Sequence, residues 1–566
     1  MNGLEITVVL GAAVLFGTVL APRLRIAVPL VLVVFGLALG FVPELREVEL
    51  PPETVLLLFL PVMLFWESLT TSLRAIKRDL RGIVIMSTLL VVASAFGVAG
   101  IAYALGMPWE AALVLGAAVA PPDATAAAAL GRTLPRRQFM VLKAESLTND
   151  GTALVIYAVA VGLATGGHYT TLDVTGLVLL SYLGGLATGA AVAGLAFLVM
   201  RQLHEALTIN IALLLVPFTA YLVAELVGAS GVLAVVVAGL IVSYTSARIS
   251  TAASRRLTES AWPLGSYLLN GALFVLIGLE VQTVAHELDA ADLVRLSGLA
   301  VAVWIALIVI RFVFPQLAVL VIRLLDRRPS QRARRMSYRS RVVGAVAGFR
   351  GAISLAIALS VPVTLDDGSG FPAREDIIFV TAGVILLTLL VQGPLLPAVV
   401  RWADLPEDHA AEEERRLAER EITEVAVAAL SDLADEHGVS DEVRERLAGD
   451  YQEHLALVQA KESAGRGDPD DDLLEAMLEQ RGDAGPVGEE ALALDAETPL
   501  TVQLDEYSPL ARNEEYTRLR VAMLDRKREA LLRLRHSGTI DDSVARDIQT
   551  RLDIEELRLT GIDPID

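Results

Sequence analysis

The chain of 566 residues is 54% hydrophobic and has a net charge of −20, but neither property is spread evenly. Residues 401–566 hold 20 basic and 43 acidic side chains, whereas residues 1–400 are slightly basic and strongly apolar. The acidic tail argues against a nucleic-acid partner and against contact with an anionic membrane surface. The absence of cysteine excludes disulfides, thiolate catalysis and cysteine metal sites.

Apolar runs of about 17–25 residues follow one another through the first 400 residues, and this is the length that a helix needs to cross a bilayer. They fall near 4–21, 26–42, 53–72, 82–105, 109–131, 138–164, 173–200, 207–227, 230–246, 262–284, 294–325, 340–362 and 375–400. The pattern predicts an all-α polytopic membrane protein with about thirteen transmembrane helices. Glu5, instead of a basic segment, precedes the first run, which predicts a retained span and not a signal peptide.

Basic residues occur in every second loop between these runs, and the intervening loops are acidic or neutral. The basic loops contain Arg23 and Arg25, Arg74 to Arg81, Arg132 to Arg137, Arg201, Arg248 to Arg256 and the segment 323–341. The positive-inside rule then predicts that the N-terminus lies outside and the C-terminal tail in the cytosol. The membrane is expected to be the plasma membrane.

Few ionisable residues lie inside the predicted spans, and Asp123, Glu145, Asp150 and Arg350 stand out among them. A charged side chain near the bilayer centre costs about 2.5–3.5 kcal/mol, so we expect these residues to pair or to line a cavity on an ion path. All seven histidines fall in predicted loops or in the tail. A proton carrier within the membrane would therefore have to be a carboxylate.

The segment Glu145-Ser-Leu-Thr-Asn-Asp150 offers the richest chemistry. Ser146 and Asp150 are four residues apart and share one helix face, while Glu145 and Asn149 share the adjacent face. A hydroxyl and a carboxylate are hard oxygen ligands that suit an alkali cation. The simpler alternative is a helix-end cap with a surface ion pair.

Two further segments predict interrupted helices. Pro121 and Pro122 precede Asp123 in mid-span, where they remove backbone donors and break a helix. Gly348 and Gly351 flank Arg350 in the same way. Freed carbonyls at membrane depth are tolerated where they line a cavity or are buried in protein, and broken helices of this kind form the binding sites of many transporters.

For each interrupted helix a structural alternative remains open. Asp123 could be a buried structural residue in a kinked helix, and Arg350 could extend to the membrane surface from a span end. We expect Arg350 instead to neutralise a helix C-terminus or to pair with a carboxylate, with Glu145 as the preferred partner. Glu67 and Arg311 also lie in predicted spans, and we expect them to have structural roles or to support the site from behind its ligands.

These motifs, in this order, resemble those of the cation:proton antiporter-1 family, the sodium/proton exchangers. The blocks are Glu145-Ser-Leu-Thr-Asn-Asp150, Pro121-Pro-Asp-Ala-Thr125, Phe349-Arg-Gly-Ala-Ile-Ser354, Leu60-Pro-Val-Met-Leu-Phe-Trp-Glu67 and Leu276-Ile-Gly-Leu-Glu280. The resemblance implies thirteen helices in inverted repeats, with two broken crossing helices. It also implies a homodimer with a dimerisation domain and a mobile core domain, all within residues 1–402.

The resemblance also implies roles for individual residues. Asp150 would carry either a proton or sodium, and Asp123 and Ser146 would complete the sodium site. The carbonyl of Pro122 would contribute as well, although its side chain, unlike the threonine of some relatives, provides no oxygen.

Two supporting residues are implied in the same way: Asn149 would orient the site, and Glu145 would pair with Arg350. The Asn149-Asp150 pair is similar to the electroneutral branch of the family.

The expected function is therefore exchange of sodium or lithium for protons by alternating access, with no cofactor beyond the transported ions. A potassium/proton or broad monovalent-cation exchanger would use the same residues. A cation channel with a regulatory tail is a different class, but no repeated selectivity-filter motif occurs in the sequence. An enzyme is not expected, because no histidine metal motif, phosphate loop or nucleophile elbow is present.

The tail, residues 403–566, is predicted to be a cytosolic helical domain. Helices are expected over 401–462 and from Tyr516 to Leu559, separated by a linker over 463–512 that is rich in Gly, Pro and Asp. Gly538 and Asp541 mark a helix end and a new N-cap. Leu519, Met523, Leu531, Leu532 and Leu534 are the predicted packing residues. A regulatory role with an unidentified ligand, a dimer contact and passive stabilisation all remain open.

Overall fold

The computed structural model describes residues 3–24, 26–42, 55–124, 134, 136–166, 170–246, 249–325, 337–365, 369–405, 410–464 and 509–561. The chain divides into two compact units, Met1–Asp408 and His409–Asp566. Each extended regular element in the described ranges is a helix. The predicted all-α polytopic fold is confirmed.

In the first half of the membrane unit, the described residues form seven α-helices. They are α1 (Gly3–Leu24), α2 (Val28–Leu39), α3 (Leu60–Leu69), α4 (Leu73–Val84), α5 (Val91–Ala104), α6 (Trp109–Val119) and α7 (Arg136–Ala164). A π-helical turn, Val55–Phe59, leads into α3. A second one, Ile85–Leu90, joins α4 to α5 in one continuous helix.

In the second half, ten α-helices lie within the described ranges. They are α8 (Thr171–Leu179), α9 (Gly185–Met200), α10 (Ala206–Leu226), α11 (Gly231–Thr245), α12 (Ala252–Glu287), α13 (Ala290–Leu325), α14 (Tyr338–Val346), α15 (Ala352–Leu359), α16 (Arg374–Leu387) and α17 (Gly393–Ala403). π-Helical turns at Leu180–Gly184 and Thr388–Gln392 join α8 to α9 and α16 to α17.

The helices begin where the sequence supplies caps. The Thr251 hydroxyl accepts the backbone N–H of Ser254 at the start of α12, and the Ser337 hydroxyl accepts that of Ser340 at the start of α14. Side-chain oxygens of this kind satisfy backbone donors that the first turn of a helix leaves free.

The membrane-spanning content agrees with the prediction of about thirteen spans. Within the described ranges, 8 helices are long and apolar enough to cross a bilayer. Four shorter apolar helices, Val28–Leu39, Leu57–Leu69, Trp109–Val119 and Gly231–Thr245, add to them. The remaining predicted span, near 340–362, is the interrupted pair α14 and α15.

The two predicted helix breaks meet. α6 ends at Val119, ahead of Pro121 and Pro122, and α14 ends at Val346, ahead of an extended segment that leads to Gly351. The backbone N–H of Asp123 donates to the carbonyl of Phe349 over 2.8 Å. The interrupted helices therefore cross at their breaks, as a pair of repeats in inverted orientation requires.

The part of the tail unit that the structure describes forms four helices: α18 (Ala410–His437), α19 (Asp441–Ala464), α20 (Pro509–Ser537) and α21 (Asp542–Thr560). Ala418, in the first half of α18, shares one hydrophobic core with Leu534 late in α20, and Leu433, late in α18, shares a second core with Leu519 early in α20. These two helices are therefore antiparallel. α21 joins the first of these cores and α19 the second.

The sequence predicted several details of the tail. α20 ends before Gly538, which has φ +89°, and the Asp541 side chain caps α21 by accepting the Ser543 N–H. Of the predicted packing residues, Leu532 is half-buried and the other four are buried. Most of the predicted linker over 463–512 lies outside the described residues.

Candidate ion-binding site

The break after α6 lies against the middle of α7. Pro121 and Pro122 carry no backbone N–H, so the chain leaves the helix there, and Ala124 and Pro122 turn their backbone groups toward α7. The Ala124 N–H donates to the Ser146 hydroxyl over 3.3 Å. The Asn149 side-chain amide donates to the Pro122 carbonyl over 3.0 Å. Ser146 and Asn149, which are three residues apart on α7, thus hold the broken backbone in place.

The four polar residues at this crossing are removed from the surface. Asn149 is 0% exposed, Ser146 1%, Asp150 2% and Asp123 4%. Burial at this depth excludes the alternative of a helix-end cap with a surface ion pair. The crossing brings together the site residues that the sequence predicted, although they come from two segments more than 20 positions apart.

Asp150 has unused capacity to bind a cation. Its Oδ2 atom is buried and accepts no hydrogen bond from the described residues, and the same is true of Asn149 Oδ1. The carboxylates of Asp123 and Glu67 lie within electrostatic range of Asp150. A buried carboxylate oxygen without a donor is costly unless a proton or a cation satisfies it. The site is therefore chemically suited to hold one or the other.

Asp123 is packed against the second broken helix. A Cβ atom on Gly351 would lie 1.7 Å from Asp123 Oδ2 and 2.6 Å from Asp123 Cγ. Only a residue without a side chain fits beside this carboxylate, so Gly351 allows the close approach of the two interrupted helices. Thr125, the last residue of the motif Pro121-Pro-Asp-Ala-Thr125, lies outside the described residues.

The donor set differs from that of a multivalent metal site. No group of three or more His, Cys, Asp or Glu with the arrangement of a metal centre occurs in the described ranges. Carboxylate, hydroxyl and carbonyl oxygens from Asp150, Asp123, Ser146 and Pro122 are hard ligands, and these suit an alkali cation.

The predicted pairing of Glu145 with Arg350 is wrong. Glu145 pairs with Arg311 of α13: Arg311 Nη1 lies 2.7 Å from Glu145 Oε1, and Nη2 lies 3.2 Å from Oε2. Arg311 Nε also donates to the Gly344 carbonyl over 3.0 Å. The guanidinium is therefore held in a bidentate pair, the geometry that arginine favours with a carboxylate.

Arg350 instead neutralises a helix C-terminus. Its guanidinium donates to the carbonyls of Val119 over 2.8 Å, of Ala120 over 3.2 Å and of Gly348 over 2.5 Å. The first two are at the C-terminal end of α6, where the helix dipole is negative. Arg350 is 3% exposed, which excludes extension of its side chain to the membrane surface.

Two residues given structural roles from the sequence lie close to the site. Arg311 is the partner of Glu145, and Glu67 is 7% exposed and within electrostatic range of Asp150. Lys143 of α7 is a charged neighbour of Glu67 and donates to the Thr70 hydroxyl over 2.7 Å. The sequence signal for Glu67 and Arg311 was an isolated charge within an apolar run.

Comparison with known proteins agrees with this geometry. The family model described as sodium/hydrogen exchanger, transmembrane, matches residues 10–402. The chain belongs to the sodium/hydrogen exchanger family. It is 39% identical to an uncharacterised Na+/H+ exchanger of Mycobacterium tuberculosis strain H37Rv, over 100% of this chain and 97% of that protein.

Other members of the family match over the larger part of the chain. The Na+/H+ antiporter ApNhaP of Aphanothece halophytica is 32% identical, over 68% of this exchanger and 71% of that protein. The sodium, potassium, lithium and rubidium/H+ antiporter of Bacillus pumilus is 29% identical, over 77% of this chain and 66% of that protein.

A solved structure has the same fold. The sodium proton antiporter MjNhaP1 from Methanocaldococcus jannaschii, determined at pH 8, aligns with a TM-score of 0.53 and 19% sequence identity. The alignment covers 71% of this exchanger and 99% of that chain.

Proposed function

We propose that this exchanger moves sodium, or lithium, against protons across the plasma membrane, with Asp150 as the residue that carries either ion. The observation that carries the proposal is the buried Asp150 carboxylate, whose Oδ2 atom lacks a donor among the described residues at the crossing of two interrupted helices. Family membership supports exchange of these ions, and ApNhaP is a relative whose name states it.

Exchange requires only that a proton and a cation compete for one carboxylate. When Asp150 releases its proton, sodium enters beside Asp123, Ser146 and the Pro122 carbonyl, and Asn149 holds that carbonyl in place. The Pro122 oxygen has a second lone pair, which remains for the cation while Asn149 uses the first. One monovalent ion replaces one proton, so the exchange is electroneutral.

Alternating access moves the loaded site from one side of the membrane to the other. The fixed backbone at the crossing supports this mechanism, because Arg350 and the Glu145–Arg311 pair hold α6, α7, α13 and the interrupted helix together. Such a group of helices moves as one body while the ion site keeps its geometry. The site is then exposed in turn to each solution.

A broad monovalent-cation exchanger is the second candidate. The relative from Bacillus pumilus is named for sodium, potassium, lithium and rubidium. Pro122 offers a carbonyl but no side-chain oxygen, so fewer ligands surround the ion than a threonine there would provide. A looser set of oxygens discriminates less sharply between ions of different radius.

The test is proton flux in proteoliposomes that carry a pH gradient, with sodium, lithium and potassium added in turn. Sodium and lithium should dissipate the gradient, and Asp150→Asn should abolish this. Asp173→Asn is the matched control, because Asp173 is a carboxylate in an exposed capping box. Dissipation by potassium at equal concentration would favour the broad exchanger. Cation-dependent flux that survives Asp150→Asn would exclude Asp150 as the carrier.

We further propose that the N-terminus faces outward, that residues 403–566 form a cytosolic domain, and that the exchanger is a homodimer. The chain has no native cysteine, so single introduced cysteines give an unambiguous labelling pattern. An impermeant reagent should label Thr165→Cys from outside intact cells and Gln202→Cys only after permeabilisation. The opposite labelling pattern would show that the N-terminus faces the cytosol and would contradict the proposed topology.

The tail is proposed to regulate exchange through an unidentified ligand. Deletion of residues 405–566 should shift the dependence of transport on cytosolic pH. An unchanged pH profile and rate would leave passive stabilisation as its role.

A further inference from the structure

Thr152 lies two residues after Asp150 and is 5% exposed. Its hydroxyl oxygen is 3.0 Å from the carbonyl of Ser87 and 2.6 Å from the hydroxyl of Tyr182. A threonine hydroxyl has one proton, and a carbonyl can only accept. Thr152 therefore donates to Ser87, and Tyr182 must donate to Thr152. The order of donors is fixed by this count.

Both partners of Thr152 lie in π-helical turns. Ser87 is in Ile85–Leu90, and Tyr182 is in Leu180–Gly184. A π-helical turn adds one residue to a helix and changes the direction of the side chains that follow, and such turns are frequent at functional sites. A π-helical turn in each of two separate helices thus places a residue in contact with the Thr152 hydroxyl of α7.

The same turn of α7 meets a third element. The carbonyl of Ser181 accepts the backbone N–H of Ser230, which is the N-cap of α11. A Cβ atom on Gly151 would lie 4.0 Å from the Ser230 hydroxyl. The residues directly after Asp150 are therefore next to both the π-helical turn that carries Tyr182 and the start of α11.

We propose that Tyr182 is a positioning residue of the transport site, which acts through its hydrogen bond to Thr152. Successive residues of an α-helix are about 100° apart, so Thr152 lies on the side of α7 that is turned away from Asp150. A bond on that side fixes the rotation of α7 about its axis. It thereby fixes the direction in which Asp150 meets Asp123 and the broken backbone. The inference rests on the proposed role of Asp150 in ion binding.

The consequence is a specific kinetic signature. Without the Tyr182 hydroxyl, α7 can rotate, and the oxygen ligands lose part of their preorganisation. The KM for sodium should rise by about three- to tenfold, the effect expected when one buried hydrogen bond is lost. Vmax should change by less than about twofold, since Tyr182 itself does not touch the ion. Discrimination against the larger potassium ion should fall, because rotation widens the site.

The experiment compares Tyr182→Phe with Tyr267→Phe in proteoliposomes. Tyr267 also pairs its hydroxyl with a threonine, Thr18, at 2.7 Å, but on an exposed part of the membrane unit. Tyr182→Phe should raise the sodium KM, and Tyr267→Phe should leave it unchanged. Thr152→Val also removes the bond to the Ser87 carbonyl, so it should raise the sodium KM at least as much as Tyr182→Phe does. The double variant should add nothing beyond Thr152→Val, and Thr152→Ser, which keeps the hydroxyl, should retain the wild-type KM.

The outcomes separate this inference from the proposed function. Wild-type exchange with unchanged KM and ion preference in Tyr182→Phe would overturn the positioning role alone. Additive effects of Tyr182→Phe and Thr152→Val would also overturn it. Absence of cation-dependent proton flux in the wild type would overturn both. Thermal stabilisation by sodium is the second measurement, and the shift in unfolding temperature should be smaller in Tyr182→Phe than in the wild type at equal sodium concentration.

Discussion

Glu145 and Arg311 form a bidentate ion pair inside the membrane unit, with distances of 2.7 Å and 3.2 Å between their nitrogen and oxygen atoms. Their side chains are 4% and 5% exposed. Arg311 also reaches the Gly344 carbonyl and packs against Gly348, where a Cβ atom would lie 2.4 Å from Arg311 Cδ. The pair therefore joins α7 and α13 to the first half of the interrupted helix.

Removal of one partner from this pair should destabilise the exchanger strongly. Glu145→Gln leaves the Arg311 charge buried and uncompensated, which costs about 3–5 kcal/mol. The free energy of unfolding should fall by this amount in thermal or denaturant unfolding of the detergent-solubilised protein. Combination with Arg311→Gln should recover much of the loss, because both charges are then absent.

Arg350 supplies the control for this pairing. If Glu145→Gln were rescued by Arg350→Gln and not by Arg311→Gln, the observed pair would not be the stabilising one. Rescue by Arg311→Gln alone is the expected result.

Gly351 should not tolerate even one added methyl group. In Gly351→Ala the new Cβ atom would lie 1.7 Å from Asp123 Oδ2, so the carboxylate or the whole break must move. We expect a loss of sodium-dependent proton flux of at least about tenfold, since a shift of about 1 Å in a reacting group has effects of this order or larger. Gly344→Ala is the control, because nothing lies within 4 Å of a Cβ atom at that position. Equal activity of the two variants would contradict the packing of Asp123 against Gly351.

Arg350 should not be replaceable by lysine. Its planar guanidinium reaches three carbonyls at once, those of Val119, Ala120 and Gly348, and a single ammonium on a flexible stem does not have this geometry. Arg350→Met leaves the carbonyls without their charged donor and should destabilise the membrane unit by at least about 1.5–3 kcal/mol, the contribution of one hydrogen bond to a charged group.

Arg350→Lys should retain part of this stability and lose most of the transport activity. Thermal unfolding and proteoliposome flux measured on the same samples distinguish the two effects. Full activity in Arg350→Lys would mean that only the charge at the end of α6 matters.

Much of the membrane fold could be predicted from local sequence. Apolar runs fix where helices cross the membrane. The consecutive Pro121 and Pro122 remove two backbone donors directly after the end of α6. The spacing of Ser146 and Asp150 placed both on one side of α7, and the structure brings that side to the break. Each of these features, a span, a helix break or a shared helix face, is determined by residues that lie close together in the sequence.

The partner of Glu145 could not be predicted, because the choice depends on distances between helices that are far apart in sequence. Arg311 and Arg350 are both buried arginines, and each needs acceptors. Arg350 finds three carbonyls at the crossing of the breaks, so Arg311 is left to pair with Glu145. The π-helical turns were missed for a related reason: tertiary packing, and not local composition, inserts the extra residue.

The attachment of α20 to the start of α19 should depend on pH. Glu515 Oε2 accepts the Ser440 hydroxyl over 2.7 Å and the Ser440 backbone N–H over 3.0 Å. The hydrogen bond from the Ser440 hydroxyl, and to a lesser extent the one from the Ser440 backbone N–H, hold the pKa of Glu515 below its ordinary value of 4.5. A carboxyl whose pKa is lowered on folding stabilises the fold above its unfolded pKa. That contribution is lost as the pH falls through the folded value.

Glu515→Gln should therefore lower the stability of the tail near pH 7 by about 0.5 kcal/mol, a small value because the side chain is largely exposed. At a pH well below 4.5 the variant and the wild type should unfold at the same temperature. Thermal unfolding of residues 409–566 followed by circular dichroism measures this difference, since both cores of the tail consist of residues from that unit. Glu529→Gln in α20 is the control, because its carboxylate pairs only with Arg526 of the same helix among the contacts described. A difference between Glu515→Gln and the wild type that persists unchanged at low pH would contradict the role of the Glu515 charge.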